Sequence, residues 1–300
     1  MNNLSNPDFI KEEFKNYPRP SDGVFDFLPK DLNKIKAIEV NTYSQRADKF
    51  NEEKILKGNF SELRLFSPII NQGKEGKLFL EIGGGDGRFA LSLMKQGYKV
   101  VETDIAPGSV KKARYFAEKS RVADDNYFMA VDAENLPFKN EVFDGIFMVA
   151  SLHHLPDNKK ALTEIYRVVK EGSPVLILRE PAAWFHYIFW PVIMTFRWLI
   201  RKRNKGEAKS LADDITMGFS RGKLKRIFKA AGFSEIKITP VDYLRKYHTY
   251  FCYIRNRLFK HNLPENEKIN QFLTKTDKTI AKIPLLNELA WDWDSVMYKK

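Results

Sequence analysis

A glycine-rich stretch followed by an acidic residue is the feature of this sequence best suited to ligand chemistry. Residues 81–87 read Glu-Ile-Gly-Gly-Gly-Asp-Gly and lie between an apolar run, 78–82, and a segment with helical spacing, 87–96. Glycines let the backbone turn tightly and approach a ligand closely, and the start of a helix offers unpaired N–H groups. Asp104 ends the next apolar run, where a carboxylate can accept hydrogen bonds from both ribose hydroxyls. The spacing therefore predicts a ligand that contains a nucleoside.

The glycines alone leave the class of nucleoside open. Gly85, Gly87 and Ala90 satisfy the G-x-G-x-x-A pattern of dinucleotide sites, in which Asp104 would also bind a ribose. The acid at the end of the second apolar run argues against a glycine turn that binds nothing. A dinucleotide and another nucleoside ligand both remain open at this point.

Two adjacent histidines are the side chains best suited to accept a proton. His153 and His154 follow the apolar run 142–149, and an imidazole with an ordinary pKa accepts protons near neutral pH. The alternative is that both histidines only shape their loop. Cys252 is the single cysteine, which excludes an internal disulfide, and we find no pattern of metal ligands in the sequence.

The elements that must position these residues alternate regularly between strand and helix. The apolar runs predict five strands, at 78–82, 98–103, 126–131, 142–149 and 174–179. Helical spacing predicts the intervening helices, at 87–96, 108–121 and 157–170. Strands that alternate with helices of this length favour a parallel, doubly wound α/β sheet.

Composition and charge are those of a folded protein with one basic region. The chain has 300 residues, 43% hydrophobic and 29% charged, which excludes a disordered tail and permits a large core. Residues 182–260 contain 17 basic and 5 acidic residues, so the whole net charge of +12 lies there. Such a block suggests an anionic partner, although a solvated basic surface without a partner is the alternative. The polar N-terminus and lone cysteine predict a cytoplasmic protein.

Several segments, taken in order, resemble the class I S-adenosylmethionine-dependent methyltransferases. Glu81-x-Gly83-x-Gly85-x-Gly87 is similar to motif I of that family, and Glu102-Thr-Asp104-Ile105 is similar to its ribose-binding strand end. Val131-Asp132-Ala133 resembles the loop that contacts the adenine. Further similarity runs through 143–147, 151–157, 161–178 and 219–233. One departure is Gly84, where a larger residue is common.

The resemblance implies a fold, a cofactor and a set of site residues. The implied fold is a Rossmann-like, seven-stranded, mostly parallel sheet with helical insertions after strands 5 and 6. The implied cofactor is S-adenosylmethionine, which leaves as S-adenosylhomocysteine. The residues expected to bind it are Glu81, Gly83, Gly85, Gly87, Asp104, Ile105, Asp132, Ala133 and Ala150. The candidates for catalysis are His154, His153 and Tyr43, the last in an N-terminal segment that resembles one closing over the cofactor.

The same reasoning divides the chain into six parts. Residues 1–75 form an arm and helices that close over the site, and 76–181 form the cofactor-binding core. The remaining parts are an apolar and basic insertion at 182–215, the last core helix and strand 6 at 216–242, a helical cap at 243–290, and strand 7 at 291–300. Within the first insertion, the apolar run 182–200 contains three of the five tryptophans and is followed by Arg201-Lys-Arg-Asn-Lys. That run could lie on a membrane, cover an apolar substrate, or pack against the sheet.

We therefore expect a methyltransferase that acts on oxygen or carbon of a small or lipid-linked acceptor. Its expected location is the cytoplasm, with peripheral contact to an anionic inner membrane surface as an open alternative. A first rival is an RNA or protein methyltransferase that docks through 182–260, although nucleic acid is disfavoured because no RNA-binding motif is present. A second rival is a non-catalytic scaffold that keeps the fold.

Overall fold

The computed structural model describes residues 7–15, 22–57, 60–184, 195, 198, 218–259, 266–284 and 286–300. Eight strands form one sheet: β1 (Val24–Asp26), β2 (Leu78–Ile82), β3 (Lys99–Asp104), β4 (Tyr127–Ala130), β5 (Gly145–Val149), β6 (Pro174–Pro181), β7 (Ser234–Val241) and β8 (Asp292–Tyr298). The α-helices are α1 (Lys34–Ala47), α2 (Glu52–Lys57), α3 (Ser67–Ile70), α4 (Arg88–Met94), α5 (Pro107–Lys119), α6 (Asn158–Val168), α7 (Arg221–Ala230), α8 (Leu244–Phe259) and α9 (Glu267–Ile280).

The strand order is β1-β4-β3-β2-β5-β6-β8-β7, and only β8 runs antiparallel to its neighbours. The predicted doubly wound, mostly parallel sheet is confirmed, but the prediction of seven strands is wrong by one. The additional strand, β1, lies in the arm that the sequence indicated as irregular, and it pairs with β4. Three residues are too few to show an alternating pattern, and Gly23 immediately before them reads as a turn.

The central strands are apolar on both sides because helices cover both faces of the sheet. The side chains of Phe79, Leu80, Ile146 and Phe147 are all completely buried. One apolar cluster contains Leu80 and Ile146, and a second contains Phe79 and Phe147, so successive residues of each strand pack into different layers. Continuous apolar strands of this kind are expected only when both faces are covered.

The two long segments that follow β6 and β7 begin at the same end of the sheet. The last residue of β6, Pro181, is paired with Asp292 at the start of β8, and Val241 at the end of β7 is paired with the same residue. The segments 182–217 and 242–291 therefore begin at the edge where the parallel strands have their carboxyl ends. Most of the apolar run 182–200 lies outside the described residues. Within the described parts of the chain, no helix has the length and apolar character needed to cross a bilayer.

Candidate active site

A cavity of about 290 Å³ lies at the carboxyl ends of β2, β3 and β5. The chain winds outward from β2 through β3 to β4 and then returns to place β5 on the other side of β2, and such a reversal opens a crevice in α/β sheets. Of the predicted site residues, ten line this cavity: Tyr43, Glu81, Gly83, Gly85, Asp104, Ile105, Asp132, Ala133, Ala150 and His154. Gly87 and His153 are not among the residues of its wall.

The glycine loop between β2 and α4 needs glycine for different reasons at different positions. Gly83, Gly85 and Gly87 all have positive φ angles, which other residues rarely adopt. A Cβ at Gly83 would lie 2.7 Å from Ser151 Oγ, and one at Gly87 would lie 2.5 Å from Ala113 Cβ. A Cβ at Gly85 would meet no atom within 4 Å. Gly85 therefore leaves open space at the cavity wall, whereas Gly87 allows α4 to pack against α5.

Asp104 fastens this loop to the end of β3. Its carboxylate accepts hydrogen bonds from the N–H groups of Gly85 (2.9 Å) and Ala106 (2.8 Å). Burial raises the pKa of Asp104 to about 6, although the backbone hydrogen bonds favour the ionised form. A carboxylate has capacity for about four hydrogen bonds, so Asp104 can still accept bonds from a ligand in the cavity.

A buried pair of carboxyl groups lies beneath the loop. Glu81 and Glu102 are neighbours in the register of β2 and β3, and Glu81 accepts a hydrogen bond from the N–H of Ala90 at 3.0 Å. Burial raises the pKa of Glu81 to about 8 and raises the pKa of Glu102 well above its usual value. Repulsion from nearby carboxylates, including Asp104, raises both further. Neither carboxyl oxygen of Glu102 has a hydrogen-bond partner among the described residues.

The position of Glu102 explains why residue 84 is glycine in this chain, where the family commonly has a larger residue. A Cβ at Gly84 would lie 2.6 Å from Glu102 Oε1 and 3.0 Å from Glu81 Oε2. The carboxyl of Glu102 thus occupies the volume that a larger residue at position 84 would need. The sequence reasoning assigned Glu102 no role of its own, although an acid within an apolar strand was a usable signal.

Helix α1 covers one side of the cavity and is held there by a buried ion pair. Lys36 Nζ lies 2.7 Å from Asp132 Oδ2 and 2.6 Å from Glu134 Oε2, and all three side chains are buried. Burial lowers the pKa of Lys36, but the two carboxylates outweigh this effect and raise it. Sequence reasoning missed Lys36 and Glu134, because nothing in the spacing joins a helix near residue 36 to a loop near residue 132.

The same helix contacts the start of α5 closely. The N–H of Gly108 donates to Ser44 Oγ at 3.3 Å, and a Cβ at Gly108 would lie 2.8 Å from Ser44 Cα. Glycine at position 108 therefore lets α1 approach the end of β3. This contact brings Glu39 and Tyr43 of α1 to the cavity wall.

His154 and Tyr43 meet at the cavity wall. Tyr43 Oη lies 3.4 Å from His154 Nε2, and the two rings are arranged edge to face with centroids 5.7 Å apart. His154 Nδ1 lies 3.9 Å from Glu39 Oε2, so both ring nitrogens have a polar neighbour on α1. The backbone just before this turn is strained, since Ala150 has a φ of 52°.

His153 faces a different partner. Its Nδ1 lies 3.0 Å from Glu180 Oε2, at the end of β6. The completely buried Glu180 carboxylate also accepts hydrogen bonds from the N–H groups of Ser151, Leu152 and His153, at 2.9 to 3.1 Å. Glu180 therefore fixes the turn that carries both histidines. Sequence reasoning did not identify Glu180, because it is far from the turn along the chain.

Comparisons with known proteins agree with this geometry. The family described as "Methyltransferase domain" matches residues 80–177. The demethylmenaquinone methyltransferase of Thermus thermophilus is 28% identical over 169 residues, covering 54% of this chain and 76% of the relative. A ubiquinone/menaquinone biosynthesis C-methyltransferase of Vibrio cholerae is 25% identical over 223 residues, covering 70% and 85%.

Solved structures agree as well. A phosphoethanolamine N-methyltransferase of Haemonchus contortus, in complex with S-adenosyl-L-methionine, superimposes with a TM-score of 0.54 at 17% identity. The match covers 91% of this chain, which spans 61% of the length of that structure. This chain is a class I S-adenosylmethionine-dependent methyltransferase. The geranyl diphosphate C-methyltransferase of Streptomyces coelicolor shares the fold of the methyltransferase described here, with a TM-score of 0.51 at 12% identity and coverage of 80% and 79%.

The cavity of the methyltransferase fits the cofactor of its class. Gly85 leaves room for close approach to the backbone, and the Asp104 carboxylate lies at the wall of the same cavity. Both features would also suit a dinucleotide, so the choice between the two ligands rests on the comparisons, which support S-adenosylmethionine as the cofactor. Within the described residues, no group of His, Cys, Asp and Glu is arranged to hold a metal ion.

Proposed function

We propose that this methyltransferase methylates a ring carbon of a small hydroquinone-type acceptor that is dissolved in or linked to lipid. Two of the relatives described above act in quinone biosynthesis, at 28% and 25% identity. The cavity wall supports an apolar acceptor, because Ile35, Phe50, Met148 and Leu155 line it beside the polar groups. Oxygen methylation of the same acceptor is the alternative, and the position of the new methyl group distinguishes the two.

We assign cofactor binding to the loop and strand ends. Asp104 binds the ribose hydroxyls, Gly83 and Gly85 allow close approach, and Glu81 supports the loop from below. Ile105, Asp132, Ala133 and Ala150 complete the wall around the nucleoside. When bound, S-adenosylmethionine supplies an electrophilic methyl group on a positively charged sulfur. The residues of the protein must then hold the acceptor, exclude water and remove protons.

The pair formed by His154 and Tyr43 is the observation that carries the proposal. Methylation of a hydroquinone ring requires loss of a hydroxyl proton, which makes the ring carbon nucleophilic. Methyl transfer to that carbon would form a carbon–carbon bond as the carbon–sulfur bond breaks; the ring-carbon hydrogen would then leave to solvent as a proton, and the ring oxygen would regain the proton held by the base. His154 accepts the hydroxyl proton, Tyr43 holds the imidazole through its hydroxyl, and Glu39 favours the charged ring. Gly87 and His153 act indirectly, by packing α4 and by holding the turn.

We further propose that residues 1–75 close the site and that the acceptor arrives from the inner face of a membrane. The Lys36 ion pair holds α1 over the cavity, which would exclude water from the reaction. The two insertions leave the sheet at the same edge as the cavity, which is where a cap over the acceptor must be attached.

Turnover with a defined acceptor tests this function. The purified chain is incubated with S-adenosylmethionine and a reduced, short-chain demethylmenaquinone in detergent, and the product is identified by mass spectrometry and NMR. We expect methylation at the ring carbon and release of S-adenosylhomocysteine, with Asp104→Ala needing a higher concentration of S-adenosylmethionine for both. Methylation of RNA, of a protein, or of an amine in place of the quinol would contradict the proposal.

A further inference from the structure

Helix α9 exposes apolar side chains that a water-soluble helix would normally bury. Phe272 is 67% exposed and Ile269 is 43% exposed, and Ile283, just beyond the helix, is 41% exposed. Ile269 and Phe272 lie about one turn apart on the same side of α9, and Ile283 extends this apolar stripe into the turn that follows the helix. The stripe therefore faces away from the core, and the rest of the described chain leaves it uncovered.

Lysines border this stripe at a regular interval. Lys268 and Lys275 are seven residues apart on α9, which places them on one line beside Ile269 and Phe272, and Lys282 is adjacent to Ile283 just beyond the helix. All three are exposed, and within the described residues none of them forms an ion pair. Across the described parts of 244–284 there are eight basic residues and two acidic ones, and the acidic Asp277 is buried as a cap for α8.

Hydrogen bonds and ion pairs connect α9 to the sheet near the turn that carries His153 and His154. Asp277 of α9 accepts hydrogen bonds from the N–H groups of Tyr243 and Leu244 at the start of α8. Asp242, just before them, pairs with Arg179, and Lys246 of α8 lies 3.1 Å from Asp292. Arg179 is the neighbour of Glu180, which holds the His154 turn. These hydrogen bonds and ion pairs therefore link α9 to the end of the sheet where the cavity lies.

We propose that the stripe of Ile269, Phe272 and Ile283, with its bordering lysines, is the surface by which the protein docks on an anionic lipid bilayer. Apolar side chains enter the headgroup region while adjacent lysines contact anionic lipids, which is the arrangement of interfacial helices. The charge argues for a lipid surface, because among the described residues the three lysines form no ion pair and Glu267 is the single exposed carboxylate of 266–284. The inference deepens the proposed delivery of the acceptor from a membrane, but docking is measurable without any turnover.

Vesicle binding with matched charge reversals tests the docking surface. The full chain is sedimented with vesicles of phosphatidylcholine alone or mixed with phosphatidylglycerol. Wild type should bind the anionic vesicles, and K268E/K275E/K282E should weaken that binding by about tenfold or more. The matched control is K225E/R226E/K229E on the exposed side of α7, which reverses the same charge without neighbouring exposed apolar residues. This control should keep at least most of the binding.

A second variant separates insertion from simple charge attraction. Phe272→Ala should weaken binding to anionic vesicles by about threefold to tenfold at every salt concentration, because it removes an inserted side chain and no charge. Equal losses in both charge reversals, or unchanged binding of Phe272→Ala, would overturn the proposal. The proposal would also be overturned if the protein did not bind vesicles and the stripe instead mediated a dimer of this chain or binding of RNA. Failed turnover with intact vesicle binding would instead count only against the proposed acceptor.

Discussion

The carboxylate of Asp104 makes cofactor binding sensitive to acid. Burial raises its pKa to about 6, so the group becomes protonated as the pH falls through that value and loses acceptor capacity for the ribose. We expect the affinity for S-adenosylhomocysteine to be constant above this pH and to fall below it, by up to about tenfold per pH unit. Calorimetric titration over a pH series measures this.

The Asp104→Ala variant provides the comparison. It should bind the product about 1–3 kcal/mol more weakly near neutral pH and should lack the acid-dependent loss. Affinity that is equal to wild type, or that keeps the same pH dependence, would contradict the assignment of Asp104 to the ribose.

Glu102 should destabilise the fold progressively as the pH rises. The pKa of Glu102 is raised in the folded protein. Its contribution to the free energy of unfolding is therefore fully present below the pKa that Glu102 has in the unfolded chain. That contribution is lost as the pH rises from there toward the pKa of the folded state. Glu102→Gln keeps the volume beneath Gly84 but cannot ionise. Its free energy of unfolding, measured in urea, should exceed that of wild type increasingly with pH, by up to about 1.4 kcal/mol per pH unit.

Glu171→Gln is the matched control for this effect, since Glu171 is exposed. We expect no pH-dependent difference between Glu171→Gln and wild type. If Glu102→Gln is less stable than wild type throughout the alkaline range, Glu102 has a stabilising partner that its surroundings do not show.

His154 should control turnover but not cofactor binding. His154→Ala is expected to lower kcat by about 10²-fold or more, because general base catalysis contributes at least that much, and to remove the rise of kcat with pH. Product affinity, measured by calorimetry, should stay within a factor of about two of wild type.

His153→Ala serves as the comparison, because His153 contacts Glu180 and the ring of His154 but does not line the cavity. It should keep the rise of kcat with pH even where turnover is reduced by a looser turn. A normal pH profile in His154→Ala would show that another group removes the proton.

At the scale of an element, α1 is held over the site by the buried Lys36 ion pair and by its packing against α5. Lys36→Met leaves Asp132 and Glu134 buried without their cation, and breaking a buried pair in this way costs about 3–5 kcal/mol. We expect hydrogen exchange in Lys34–Ala47 to become much faster and the affinity for S-adenosylhomocysteine to fall. The exposed Lys34 on the same helix supplies the control, and Lys34→Met should change neither quantity. Unchanged exchange in Lys36→Met would mean that packing on α5 is sufficient to hold α1.

Element boundaries show what kind of information a sequence contains. The strands β2 to β6 and the helices between them were predictable to within a few residues, because each is a continuous local pattern. The strand β1 was not, since its three residues are specified by pairing with β4 rather than by their own sequence. A long element can be predicted from its own local pattern, whereas a strand as short as β1 forms only because of the strand that it pairs with.

At the scale of the whole molecule, the same distinction applies to the site. Except for Gly87, the residues that the family motif places in the glycine loop and strand ends line one cavity, as do Tyr43 and His154. Lys36, Glu102 and Glu180 were missed, because each acts through a contact between distant parts of the chain. The motifs do not indicate the acceptor either, because apolar residues of the cavity wall such as Ile35 and Phe50 lie outside them.

The position of β8 determines the order in which the molecule can be assembled. It follows both β6 and β7 along the chain, yet it lies between them and joins β7 to the sheet. During synthesis on the ribosome, β1 to β6 can therefore pair while β7 still has no partner. Until β8 emerges, one edge of β6 and both edges of β7 remain unpaired, and such edges are the usual starting points of aggregation. The strand that pairs with β6 and β7 is therefore made only after both of the strands that it joins.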